Sequence, residues 1–320
     1  MIKFPVRPAV VSVALMTLLA CASSLYSADS PAGADDKEQA LTSQARVALI
    51  RRAHLWRPTN IPKMNVRVGP AHPGAFKPEE LVTCDYRDKE MTGRSPKFTC
   101  VIGPDDEVKV KFGEDNGEVY GEVATTRLLW ALGFGADYLY PVRVVCRGCP
   151  NTLGGRPYAS ENERFFDPAA IERKMPGHEL LGHDVVGWSW TELDVVSEGD
   201  GGAPKAHRDA LKLLAATLQH TDSKTEQQRL LCLDDPTKGE AGKINAARGA
   251  CATPFMMLND VGLTFGRANY PNDNALGSVN FERWAKSPVW KDAKSCTADI
   301  GGSATGTLKD PVISEEGRRF

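Results

Sequence analysis

The sequence has no excess of charge of either sign: 39 Lys and Arg stand against 41 Asp and Glu, a formal net charge of −2. That argues against the basic stripe used to grip nucleic acid and the polybasic patch used on anionic membranes. There is no apolar run long enough to cross a bilayer. The mostly apolar stretch 10–20 falls well short of the ~20 residues a spanning helix needs. No internal repeat is visible, which sets solenoids and propellers aside. Several catalytic signatures are also missing. There is no GxSxG elbow, no Walker loop and no GxGxxG after a strand, and His178 and His183 lack the HExxH spacing. What remains is a chain of 320 residues, 42% hydrophobic and 25% charged, able to bury a sizeable core.

The start of the chain reads as an export signal. Lys3 and Arg7 precede the apolar stretch, and small residues follow it. Residues 18–21 (LLAC) resemble a lipobox, which would lipidate Cys21 and end the signal at residue 20. Small-residue sites up to residue 28 offer ordinary secretion instead. The expected location is therefore outside the cytoplasm: periplasm, lipid-anchored at the outer membrane, or secreted.

In that setting the other seven cysteines are disulfide candidates first. Cys84 and Cys100 lie on consecutive alternating strands, and Cys232 and Cys251 bracket a Gly-containing excursion; both are expected pairs. Cys146 and Cys149 form a CxxC without the following His of haem attachment, and without a second CxxC for zinc. A disulfide is the simpler reading there, and a zinc site with Cys296 and a His is disfavoured. Seven is odd, so at least one thiol is free or pairs outside the chain.

Periodicity divides the chain into a signal (1–28), a tether with a helix and an irregular extension (29–80), a sheet region (81–200) and a helical region (201–320). Helices are expected over 38–56, 118–132 and 204–219, with strands over 81–86, 97–102, 107–112, 140–146 and 185–193. Residues 148–182 read as loop. At the C-terminal end Ser314 and Glu315 are placed to cap one more helix.

Four patterns could carry chemistry. In 220–227 (HTDSKTEQ), Asp222 follows an apolar helix, and the Gln227 amide five residues on could ligate a metal through its oxygen. In 255–262 (FMMLNDVG), an apolar strand delivers Asp260, and Gly262 lets the chain turn away. Lys109 and Lys111 share one face of an amphipathic strand. One of them inside a cleft would neutralise phosphates, with Glu122 on the next helix holding it. Gly93, Ser95 and Lys97 belong to a loop whose backbone N–H groups could cradle phosphates. Each pattern alone also fits a plain turn, loop or solvated strand. Trp188 and Trp190 fit core packing better than a ligand platform.

In this order the pieces resemble the HipA-type kinases and, more distantly, the phosphatidylinositol and secretory-pathway kinases of the same atypical superfamily. The likeness spans about residues 90–265. Gly93 to Lys97 matches the family's glycine loop, with Ser95 where Gln is usual. Lys111 matches the nucleotide lysine, Glu122 its helix partner, Asp222 the catalytic Asp and Asp260 the metal Asp. Gln227 replaces an Asn, and His220 stands where Asn is usual. The resemblance implies an α+β, kinase-like two-lobed fold, with a small antiparallel-sheet lobe carrying one key helix and a larger, mainly helical lobe. It implies Mg²⁺- or Mn²⁺-dependent phosphoryl transfer from ATP to a hydroxyl acceptor. Gly93, Ser95 and Lys97 would cover the phosphates, Lys111 would bind them, Asp222 would position the acceptor, and Gln227 and Asp260 would hold the metal. Residues 191–194 would meet the adenine. The alternative is an inactive kinase scaffold with a binding or structural role in the envelope, because an exported protein meets little ATP. The expected partners are the nucleotide and the acceptor, with no nucleic acid, no haem and no membrane contact beyond a lipid at Cys21. The expected state is a monomer.

Overall fold

The computed structural model of the protein describes residues 41–93, 95–182, 185–234, 251–266, 279–301 and 304–320. The expected signal and Cys21 lie outside them. Helix α1 (Ser43–Arg51) is capped by the Thr42 side chain, which accepts from Ala45 N, and it buries Leu49 and Ile50. Strands β1 (Glu80–Arg87), β2 (Lys97–Gly103) and β3 (Asp106–Phe112) then pair antiparallel in succession. Helix α2 (Gly117–Ala131) starts under the Asn116 side chain and stops at Gly133, whose φ is +87°. A Cβ on Gly133 would lie 2.1 Å from the Arg57 carbonyl, so only glycine fits this close approach. Strand β4 (Tyr138–Arg147), the two-residue hairpin β5 (Thr152–Leu153) and β6 (Arg156–Pro157), and the long strand β7 (Glu163–Arg173) follow.

These strands close into a barrel in the order β1-β2-β3-β7-β4. Closure comes from a parallel pairing, Glu80 with Val142 through Asp85 with Arg147. Alternate residues point inward, as the strand period requires. Phe98, Phe112 and Phe166 meet at the centre, with ring centroids 4.5–5.5 Å apart. The outward positions of β3 carry Lys109 and Lys111, and α2 packs over that outer wall through Val119, Leu139 and Ala170.

The expected two-lobed, kinase-like fold with a larger helical lobe is not what the chain forms. The sheet is a closed barrel. Past Gly201 the described residues hold a single long helix, α3 (Lys205–Thr217); α4 (Phe281–Lys286) and α5 (Glu315–Arg319) have six and five residues. The rest of this half is strand and loop. Strand β10 (Gln228–Cys232) pairs with β11 (Pro254–Leu258) and with the earlier β8 (His178–Glu179); β9 (Asp222–Ser223) runs parallel to β14 (Thr305–Gly306); β12 (Trp290–Asp292) pairs with β13 (Thr297–Ala298). A second core joins α1, α3, β10 and β11 through Leu49, Leu211, Ala215, Leu230 and Met256.

Two local readings also change. The stretch read as loop contains β7. Pro168 hides it, and its missing N–H is tolerated because the β4–β7 register shifts between Val142 and Val144, opposite that proline. Residues 185–193 are not a strand. The Ser189 and Glu192 side chains cap a 3₁₀ turn over Trp190–Asp194, satisfying locally the backbone groups a ladder would use. Trp188 and Trp190 are both buried in the second core.

Cys84 bonds Cys100, Cys146 bonds Cys149 and Cys232 bonds Cys251, leaving Cys296 as the free thiol among the described residues. Three disulfides fit an oxidising compartment outside the cytoplasm. No helix among the described residues is long and apolar enough to cross a membrane. The Cys84–Cys100 bridge spans a sequence separation of 16 inside the barrel. Replacing both cysteines with alanine should lower unfolding free energy by about 3 kcal/mol, the loop-closure value for a ring of that size. Urea denaturation of the variant and parent measures it, and coincident curves would show that the bridge does not constrain the unfolded chain.

Candidate functional site

The site grows from a conflict in the sheet. Lys97 and Lys111 are directly opposed in the β2–β3 register, and like charges so placed repel. Lys111 is also sealed between the barrel wall and α2, with its side chain 1% exposed. A buried ammonium needs carboxylates around it. It has Glu122 at 2.5 Å, Glu118 at 2.9 Å and Asp260 at 3.9 Å.

Each carboxylate arrives for a local reason. Glu118 and Glu122 are four residues apart on α2 and so share one face. Glu118 also sits in the first turn, where the helix dipole favours an acid. Asp260 leaves β11 at a turn in which its Oδ1 accepts from Gly262 N at 3.1 Å. A Cβ on Gly262 would fall 2.8 Å from the Glu118 carboxyl carbon, so glycine lets this turn meet the helix. A buried Thr125–Thr264 hydroxyl pair at 2.9 Å holds the two elements together.

The charges tune one another. Burial works against charging Lys111, but Asp260, Glu122 and Glu118 hold its ammonium well above the ordinary lysine range. Burial likewise opposes the Asp260 anion; Lys111 and the Gly262 amide overcome it and keep the carboxyl well below the usual range. Burial pushes the Glu122 carboxyl up to about 8 against the pull of Lys111. Lys97 is lowered by burial and then by Lys111. A second charged band continues along the barrel wall. Glu172, beside Lys109 and Lys174, is held down to about 2 despite its burial, and Asp137 binds Lys174 at 3.0 Å and Arg229 at 3.3 Å.

Asp222 lies next to this cluster along the backbone. Gln227 O accepts from Asn259 N at 2.8 Å and Asp260 N at 3.2 Å, while Gln227 Nε2 donates to Asp222 Oδ2 at 3.0 Å. Asp222 Oδ1 accepts from Thr305 Oγ1 at 2.8 Å and lies 3.2 Å from Lys224 Nζ. His220 is fully buried beside Trp190, and neither ring nitrogen has a partner. Burial lowers its pKa to about 4, against the pull of Asp260 and Asp222.

The structure thus gathers Lys111, Glu122, Asp260 and Lys97, and sets Asp222 and Gln227 beside Asp260. Gly93 has φ +86°, and a Cβ there would lie 2.9 Å from Lys97 Nζ, so the loop backbone crosses directly over that ammonium. Ser95 is half-buried in the same loop. Residues 191–194 serve elsewhere: Glu192 pairs with Arg46, and Asp194 pairs with Lys212 at 2.7 Å. Sequence reasoning considers Glu118 only as a substitute for Glu122 and not as a further carboxylate beside it, although the four-residue spacing signals a shared face. It also missed Lys224, two residues after Asp222, and Thr305, which no local pattern could have indicated. For a cation, the donor set is Glu118, Glu122 and Asp260, whose ligand atoms lie within 4.8 Å of one another. An all-oxygen set suits a hard ion such as Mg²⁺ or Mn²⁺. Cys232 and Cys251 approach Asp234 with similar spacing, but their sulfurs are committed to a disulfide.

The buried neutral His220 gives a pH signature. Below the ordinary value of 6.5 the unfolded chain takes up a proton that the native site refuses until about 4, so this contribution to stability is complete above 6.5 and is lost as pH falls toward 4. Between about pH 7.5 and about pH 5 the parent should lose about 2 kcal/mol more than His220→Phe. Urea melts at both pH values measure the difference; parallel losses would mean that the histidine charges in the native state.

No protein-family model matches the sequence and no curated protein matches it, so the reading of this site rests on its own geometry.

Proposed function

We propose that the Lys111 cluster binds the phosphates of a nucleoside triphosphate with a divalent cation, and that the protein transfers the terminal phosphoryl group to a hydroxyl acceptor. The observation that carries this reading is the buried Lys111 ammonium, gripped by Glu122 and Glu118 on one side and approached by Asp260 on the other. The order of motifs shared with the HipA-type kinases supports it. The reading rests on the site and does not extend to a kinase fold.

In this reading Lys111 and Lys97 neutralise phosphate oxygens, and the Gly93 loop covers them with backbone N–H groups. Glu122 fixes the Lys111 side chain. A divalent cation, held by Asp260 with Glu118 or the Gln227 amide oxygen, would supply further neutralisation of the phosphate charge. Asp222, steadied by Gln227 and Thr305, orients the acceptor hydroxyl and takes its proton. The acceptor oxygen bonds to the terminal phosphorus as the bond to the bridging oxygen breaks, and the nucleoside diphosphate leaves. Lys224 lies beside Asp222, where it can meet the transferred group.

Calorimetric titration of ATP with Mg²⁺ or Mn²⁺, alongside a transfer assay against hydroxyl-bearing acceptors, tests the proposal. Asp260→Asn should bind metal–nucleotide at least about tenfold more weakly than the parent. Asp222→Asn should bind nearly as well but transfer at least about a hundredfold more slowly. A parent that binds no nucleotide with either metal would remove the enzymatic reading and favour a binding or structural role in the envelope.

A further inference from the structure

A groove of about 680 Å³ runs along α2 on the helix face opposite Glu118 and Glu122. Its size suits one small ligand. The helix lines it from Val119 to Ala131, about 18 Å at the helical rise, so it is long as well as apolar. Val123, Ala124 and Leu128 form the floor, and Pro141, Pro168 and the half-exposed Phe281 flank it. Its acids, Glu79 and Asp167, lie on the barrel side with Arg143, whose Nε donates to the Glu79 carbonyl at 3.0 Å.

The other end is different. Arg127 lines the groove there and is only 7% exposed. Its guanidinium donates to the carbonyls of Val66, Arg67 and Leu139, its Nε has no partner, and no carboxylate among the described residues pairs with it. A buried cation without an anion is costly, and the exposed Arg67 adds a second positive charge at the same end. We propose that this groove binds a free long-chain carboxylate, its chain along α2 and its head at Arg127 and Arg67. The inference is independent of the phosphoryl-transfer reading.

Calorimetry of the full chain with sodium palmitate, kept below its micelle concentration, tests this against hexadecanol, which has the same chain length without the charge. The expected result is saturable one-to-one palmitate binding, with hexadecanol at least about tenfold weaker. Arg67→Glu should weaken palmitate about tenfold and leave hexadecanol unchanged, and Val66→Trp, at an exposed lining position, should weaken both. Neither residue belongs to the Lys111 cluster, and thermal melts check that both variants fold. Absence of saturable binding, or equal affinity for the acid and the alcohol, would overturn the proposal. So would a dimer in light scattering that Val66→Trp dissociates, since a second copy would then fill the groove. Binding to phosphatidylglycerol vesicles without palmitate binding would assign the face to a membrane and overturn it as well.

Discussion

One buried ammonium governs the arrangement of this protein. Removing Lys111 from water would cost several kcal/mol if it stood alone. Three carboxylates from two separate elements offset that cost, and so they fix where those elements lie. Helix α2 must present Glu118 and Glu122 to the barrel wall, and the turn after β11 must reach the same point with Asp260. Gly262 and the Thr125–Thr264 pair are the local devices that allow the approach. Replacing the ion cluster with apolar side chains could leave a stable fold, because buried ion pairs seldom add net stability. That cost, with Asp260 held low and Glu122 pushed up, marks the cluster as the candidate site.

Much of this was legible in the sequence because it is local. Alternation gave β1, β2 and β3, an apolar stripe ended by Gly133 gave α2, and the Ser314–Glu315 cap gave α5. Export context and strand order gave Cys84–Cys100 and Cys232–Cys251. Lys111, Glu122 and Asp260 were singled out by their order along the chain. What escaped was non-local. The parallel β1–β4 contact joins residues about sixty positions apart, and nothing near either strand announces it. Strand β7 was masked by Pro168, and Thr305 reaches Asp222 only through the parallel pairing of β9 with β14. The expected helical half failed for a related reason: short strands such as β9 and β14 have no periodicity to read.

Helix α2 is used on several faces at once. Its apolar stripe includes Ala124 and Leu128, which pack against Leu218, Phe265 and Val279 and also line the groove. Toward the barrel wall Val119 packs with Leu139 and Ala170, while Glu118 and Glu122 meet Lys111. The acids sit on that face because Lys111 lies on the outer side of β3, where α2 and the Asp260 turn cover it.

The barrel's closure also bears on synthesis and export, where the chain emerges from its N-terminus onward. Strands β1, β2 and β3 can pair as soon as they appear, because their contacts are sequential. The ring cannot shut until β7 has arrived to join β3 to β4. Until then β3 has a bare edge, although α2, with Glu118 and Glu122 for Lys111, has already emerged. The last acid of the cluster, Asp260, arrives roughly ninety residues later still. A nascent chain therefore passes through a long interval with an open, cationic sheet edge, the kind of surface that escort proteins recognise before a domain completes itself.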